Sequence, residues 1–262
     1  VARAGARRAT VPVHEDTTFS DVGGSDAGAT AGALYLRDST VVVQNVTVRN
    51  PAGAGLGMVS ATEDTVWVRI LEANGVAARV AGEALAVLPP FDSLDSGTDA
   101  DTVIILGINE TLRADATIGA GAPTKLAGFA GAAYPAFLQV DSAVTLTFEP
   151  GASMLLQNEG LLVNGGAIVA EGTATQPILF TGDSTTISPS EGIGIQAHPI
   201  TVGNCVTATD TSRFKHVIIQ WVKDQTLPGC SGFDGTSGAL SVNDGTPITI
   251  DSTVVRQVYG NG

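Results

Sequence analysis

The run LTFEPGASMLLQNEGLLVNGGAIVAEGTATQPILFTG, residues 146–182, decides the fold. Its apolar residues come in short alternations, at Leu146/Phe148, Leu161/Val163, Ile168/Ala170 and Ile178/Phe180. Between them stand Pro150-Gly151, Gly160, Gly165-Gly166, Gly172 and Gly182, all turn formers. Segments of roughly three to five residues between such turns are too short for helices and read as strands. A period of two sends alternate side chains inward and outward. Strands this short gain little from hairpin pairing. Stacking successive coils in parallel, by contrast, pairs each backbone donor with the coil above or below and buries a continuous apolar column. The expected fold class is therefore all-β, a parallel β-helix or β-solenoid.

Working outward, the same unit recurs near both ends of the chain. GALYLRDSTVVVQNVTVRNPAGAG (32–55) and GALSVNDGTPITIDSTVVRQVYGNG (238–262) register with one inserted residue. Gly32, Ala33, Leu34 and Asp38 then meet Gly238, Ala239, Leu240 and Asp244, while Arg49, Gly53 and Gly55 meet Arg256, Gly260 and Gly262. A second echo lies inside the first copy, where TVVVQNVTV (40–48) is followed by TVWVRIL (65–71). Such self-similarity is the mark of a repeat architecture. Residues 72–88, EANGVAARVAGEALAVL, place Val76, Val80, Ala84 and Leu88 four apart as a helix would, but Asn74-Gly75 and Gly82 favour strand coils. The stretch PPFDSLDSGTDADT (89–102) reads as an acidic loop. The expected organisation is an N-terminal arm and lead-in over 1–31, first β-helix coils over 32–88, the loop over 89–102, and a main stack over 103–262.

The central run also resembles the repeats of bacterial extracellular right-handed parallel β-helix proteins of the pectate-lyase-like superfamily. The residues that carry the likeness are EPGA (149–152), GGAIVAEGT (165–173) and PILFTG (177–182). FKHVIIQW (214–221), GALSV and ITIDSTVV continue the pattern more loosely. The resemblance implies a right-handed coil with irregular loop insertions. It is poor for function, because one fold of this kind hosts lyases, hydrolases, adhesins and spike proteins alike.

Composition narrows the partners. The chain has 262 residues, with 26 acidic against 13 basic and a formal net charge of −13. Only Lys125, Lys215 and Lys223 are lysines, so nucleic acid and anionic membrane surfaces are disfavoured by phosphate repulsion. No apolar run reaches the roughly 18 to 20 residues a membrane-spanning helix needs, so no membrane span is expected. Carbohydrate or a cell-surface protein is the expected partner. The opening VARAGARR has no apolar stretch behind it, and VVRQVYGNG stops within a strand-and-turn pattern, so a mature or excised segment is expected, with more chain or a partner following. Arg3, Arg7 and Arg8 form the one basic run, either a solvated arm or a basic end suited to end-to-end self-assembly.

Several residues are candidates for chemistry. Cys205 and Cys230, the two cysteines, are expected to form a disulfide, with two buried thiols as the alternative. Closing a loop of about 26 residues in this way contributes roughly 3 to 4 kcal/mol. That points to an oxidising compartment, extracellular or at the cell surface. Asp92, Asp95, Asp99 and Asp101 are candidate metal ligands, for which calcium is the suitable cofactor. Their spacing does not match the EF-hand loop, and a solvated linker is the plainer reading.

Asp210, Arg213, Lys215, His216, Lys223 and Asp224 are the raw material for acid-base chemistry. Taken as one strand, 214–222 would send Phe214, His216, Ile218 and Gln220 one way and Lys215, Val217, Ile219 and Trp221 the other. No strong basic and acidic cluster would then fall on a single face of that strand. The remaining histidines, His14 and His198, read as loop residues. Trp67 and Trp221 lie in alternating segments that suit either core packing or stacking on a sugar ring. Asn45-Val-Thr47 and Asn109-Glu-Thr111 are glycosylation sequons.

The expected function is a structural or binding module, an adhesin, matrix or filament component, that presents a rigid β-helix surface and has no assigned catalytic residue. The alternative is a polysaccharide-active enzyme, a lyase or glycoside hydrolase.

Overall fold

The computed structural model describes residues 2–4, 18–20, 32–37, 42–49, 51, 54–59, 65–71, 76–90, 93–94, 103–106, 110–121, 123–127, 136–157, 159–182, 200–202, 210–222, 239–242 and 247–258. The chain divides into two compact units. The first comprises residues 1–106 and 119–124, the second 107–118 and 125–262.

In the first unit, β1 (Ala2–Ala4), β3 (Leu34–Arg37), β5 (Leu56–Val59), β7 (Ala78–Ala81) and β8 (Val103–Leu106) lie side by side in that order. A second sheet contains β2 (Thr18–Ser20), β4 (Val42–Arg49) and β6 (Thr65–Leu71). Every pairing in both sheets is parallel. Leu34 pairs with Leu56, and Leu56 with Ala78, so the chain returns to the same place after 22 residues each time. The echo of 40–48 in 65–71 is the stacking of β4 on β6, with a register shift between Val43 and Val46. Leu36, Met58 and Val80 fill one wall of the core, and Val46, Val48, Val68 and Ile70 the other, all buried.

Within 72–88, the described residues 76–88 combine both local readings. Val80 points inward in β7, as the strand reading requires, and a 3-10 helix over Gly82–Val87 then buries Ala84 and Leu85. Among the described residues no helix is long and apolar enough to cross a membrane.

The second unit has three described strands per coil. The first coil is β9 (Glu110–Leu112), β10 (Ala116–Ile118) and β11 (Thr124–Ala127), and the second is β12 (Ala136–Val140), β13 (Thr145–Phe148) and β14 (Ser153–Gln157). There follow β15 (Glu159–Val163), β16 (Ala167–Glu171) and β17 (Ile178–Thr181), then β18 (Ile200–Val202), β19 (Ser212–Lys215) and β20 (Val217–Gln220). The last coil is β21 (Leu240–Val242), β22 (Ile248–Asp251) and β23 (Val254–Arg256). Equivalent strands form three sheets, ordered β9-β12-β15-β18-β21, β10-β13-β16-β19-β22 and β11-β14-β17-β20-β23. The protein is a parallel β-helix, and its strand register is what defines it.

The alternations of 146–182 supply the core. Leu146, Phe148, Leu161, Val163, Ile168, Ala170, Ile178 and Phe180 are all buried. Ile118, Phe148, Ala170 and Phe214 form one inward column, each in register with the next. Phe148 meets Phe180 of the neighbouring sheet edge to face, with ring centroids 4.8 Å apart and planes at 74°, the arrangement that the ring quadrupoles favour.

Corners between sheets are made in two ways. Glycine makes some of them: Gly165 has φ 93°, and a Cβ there would collide with Ser142. Others place non-glycine residues in the left-handed region: Ala143 (φ 60°) between β12 and β13, His216 (φ 48°) between β19 and β20 and Ser252 (φ 48°) between β22 and β23. His216 and Ser252 occupy the same corner in successive coils, and the His216 N–H donates to the Asp251 carbonyl at 3.2 Å.

The corner at His216 corrects the single-strand reading of 214–222. The chain bends there, so Phe214, Val217 and Ile219 are buried while Arg213 and Lys215 face solvent. The two terminal repeats also differ in three dimensions. In the first, β4 runs on as one long strand through its bulge, whereas in the second the bend at Ser252 divides the corresponding stretch into β22 and β23.

Candidate binding face

The outer face of β10-β13-β16-β19-β22 carries the densest set of aligned polar side chains among the described residues. Alternation fixes which side chains point out. In β13 Leu146 and Phe148 are buried, leaving Thr145 and Thr147 outside; in β19 Ser212 and Phe214 are buried, leaving Arg213 and Lys215 outside. Parallel register then lines these residues up from strand to strand. One column runs Thr117, Thr147, Val169, Arg213 and Thr249. A second runs Glu171, Lys215 and Asp251. Neighbours within a column are one strand spacing apart, about 4.8 Å.

The charges interlock across strands. Arg213 Nε lies 3.3 Å from Glu171 Oε1, with both side chains about half exposed (46% and 48%). A pair in such contact with water adds little stability, at most about 1 kcal/mol. Its effect is to orient the guanidinium along the face. Lys215 stands in register between Glu171 and Asp251, two carboxylates on neighbouring strands. At the edge of the face, Asp115 Oδ1 accepts from the Thr145 N–H at 2.8 Å and ties the first coil to the second.

Beneath this face the packing is continuous. Ser212 is the buried polar exception in its strand, and its Oγ accepts the Ile168 N–H at 3.1 Å.

Of the acid-base candidates, the structure brings Arg213 and Lys215 together on one face. Asp210 is exposed ahead of β19, and His216 is half-buried at the corner. The sequence expectation concerned that strand alone, and the acidic residues in register with Lys215 come from other strands. Glu171 and Asp251, far apart in sequence, were not among the candidates. The signal that finds them is alignment of the inward residues: once Ala170, Phe214 and Ile250 are stacked, Glu171, Lys215 and Asp251 follow one position later.

Lys223, Asp224, His14, His198 and Asn109 lie outside the described residues, as do the proposed disulfide of Cys205 and Cys230 and the calcium candidates Asp92, Asp95, Asp99 and Asp101. Among the described residues no group of three or more His, Cys, Asp or Glu side chains is placed to hold a metal. Asn45 falls in β4 and Trp67 in β6. Trp221 is a half-buried corner residue with φ 56°, rather than a member of β20. Comparisons with protein-family models, with curated proteins and with solved structures found no match to this chain.

Proposed function

We propose that the chain is an extracellular or cell-surface binding module, a component of an adhesin or matrix, that holds carbohydrate on the outer face of β10-β13-β16-β19-β22. The observation that carries this reading is the pair of registered columns, Thr117-Thr147-Val169-Arg213-Thr249 and Glu171-Lys215-Asp251. Hydroxyl, guanidinium, ammonium and carboxylate groups together supply both donors and acceptors, as a polyhydroxylated ligand requires. A linear polymer laid along the stack meets one strand every 4.8 Å or so. The sheet already holds these groups in place, so little ordering entropy remains to be lost on binding. Two support lines come from the sequence: the lone pair Cys205 and Cys230 suits an oxidising compartment, and residues 146–182 resemble the extracellular pectate-lyase-like superfamily.

Affinity electrophoresis against a panel of neutral and uronate-containing polysaccharides tests the reading. At least one polymer is expected to retard the protein, and Arg213→Ala is expected to weaken that retardation about tenfold, the worth of one hydrogen bond from a charged donor. Retardation by none of the polymers, or no effect of Arg213→Ala and Lys215→Ala together, would sink it.

One observation favours a second reading as a polysaccharide-active enzyme. Lys215 stands between Glu171 and Asp251 on an open face, a basic group beside carboxylates where a polymer would lie. Under that reading Lys215, as the free amine, takes the C5 proton of a uronate, the C4–O glycosidic bond breaks as a C4–C5 double bond forms, water protonates the leaving oxygen, and Lys215→Ala abolishes release of unsaturated ends.

A further inference from the structure

The outer face of β10-β13-β16-β19-β22 changes character along the stack. At one end Thr117, Thr145 and Thr147 point outward from β10 and β13. At the other, Arg213, Lys215 and Asp251 stand exposed on β19 and β22. Val169 of β16 separates the two, half-buried and in register with both Thr147 and Arg213. The acids are spread over the whole face. The ladder runs one residue past β13, where the Glu149 N–H donates to the Ile118 carbonyl at 2.9 Å, so the exposed Glu149 follows Phe148 as Glu171 follows Ala170. Taken with the one residue at each of their ends, the five strands carry two bases, Arg213 and Lys215, against four acids, Asp115, Glu149, Glu171 and Asp251, a formal charge of −2.

We propose that the polymer held on this face is an uncharged glycan, an inference that rests on the carbohydrate reading above. Both bases already face carboxylates of the protein. Arg213 does so through its 3.3 Å contact with Glu171, and Lys215 by its place in register between Glu171 and Asp251. A polyuronate brings further carboxylates to a face at −2 on a chain at −13, and each competes with Glu171 or Asp251 for the same two cations. A polymer of amino sugars meets the converse difficulty, because its ammonium groups compete with Arg213 and Lys215 for those carboxylates. An uncharged glycan leaves the pairs intact. Its hydroxyls donate to the carboxylate oxygens, and they accept from the guanidinium N–H groups that Glu171 does not take and from the Lys215 ammonium. Such charge-assisted hydrogen bonds are roughly twice as strong as neutral ones. At the other end the threonine hydroxyls both donate and accept, while the Val169 methyls offer the C–H face of a sugar ring an apolar contact. The two halves of the face therefore suit one ligand chemistry, many hydroxyls and no net charge.

Biolayer interferometry of the 262-residue chain on immobilised polymers tests the inference. The uncharged set is hydroxyethyl cellulose, galactomannan, dextran and β-glucan; the charged set is polygalacturonate, alginate and chitosan, all with a chelator present. At least one uncharged polymer is expected to bind, and more tightly than any charged one. Its Kd is expected to change less than about threefold between about 0.01 M and about 1 M salt, where the screening length falls from roughly 30 to roughly 3 Å. Glu171→Gln is expected to weaken that binding about tenfold and Thr147→Val about threefold, with the circular dichroism unchanged because both side chains face outward. A charged polymer bound as tightly, a larger loss in high salt, or binding indifferent to both substitutions would overturn the inference while leaving a carbohydrate-binding protein. Binding to none of the polymers removes the carbohydrate reading itself, and the inference with it. The salt series uses the native chain and decides even if either variant fails to fold.

Discussion

Phe180 and His216 show two opposite ways in which single residues determine this coil. Phe180 is fully buried and touches Phe148 edge to face, so its truncation leaves a cavity that a stack of rigid strands fills poorly. Phe180→Ala is expected to cost about 3 to 5 kcal/mol, read from the midpoint of chemical denaturation. His216 instead holds an unfavourable backbone conformation, with φ 48°, to turn the corner. Histidine tolerates the left-handed region better than a β-branched residue does. His216→Val is therefore expected to destabilise by about 1 to 2 kcal/mol, while His216→Gly is expected to be far milder in the same assay. The inward residues were legible in the sequence because period two marks Leu146, Phe148, Ile178 and Phe180 directly. The corners were legible only where glycine made them, as at Gly165; nothing in a histidine or a serine announces a positive φ.

At the scale of the element, strand identity came out differently from what local alternation suggested. Residues 214–222 read as one strand, whereas β19 ends at Lys215 and β20 begins at Val217, because the bend at His216 shifts the inward phase by one and keeps Phe214, Val217 and Ile219 all inside. Arg213 and Lys215 lie before the bend and face outward by the alternation of β19 alone. The candidate face was hidden from a strand-by-strand reading: its acidic members belong to β16 and β22, and register between strands is not written in any one of them. Two substitutions separate the inner and outer roles of β19. Ser212→Ala removes the acceptor of the buried Ile168 N–H and is expected to cost about 1 to 3 kcal/mol. Arg213→Ala, one residue along and facing out, is expected to change stability by less than about 1 kcal/mol. Denaturation curves of the two variants side by side check both values, and equal losses would contradict the assignment of inner and outer faces.

For the molecule as a whole, the glycines and the low charge acquire a common cause. Stacked coils need turns at short intervals and bury one side of each strand, which leaves fewer positions for charge than a chain of 262 residues ordinarily offers. The charges that remain on the second unit's outer face, Glu171, Arg213, Lys215 and Asp251, fall in register, and this gives the face its proposed role. Holding a polymer and cutting it are separable outcomes. The most direct test incubates the protein, with calcium present, with a panel of polyuronates and neutral glycans, and measures bound polymer and released sugar ends on the same samples. Retention of at least one glycan with no unsaturated or reducing ends above a heat-denatured control is the expected result. Steady release of such ends, lost in Lys215→Ala, would contradict the binding-module reading and establish the enzyme in its place.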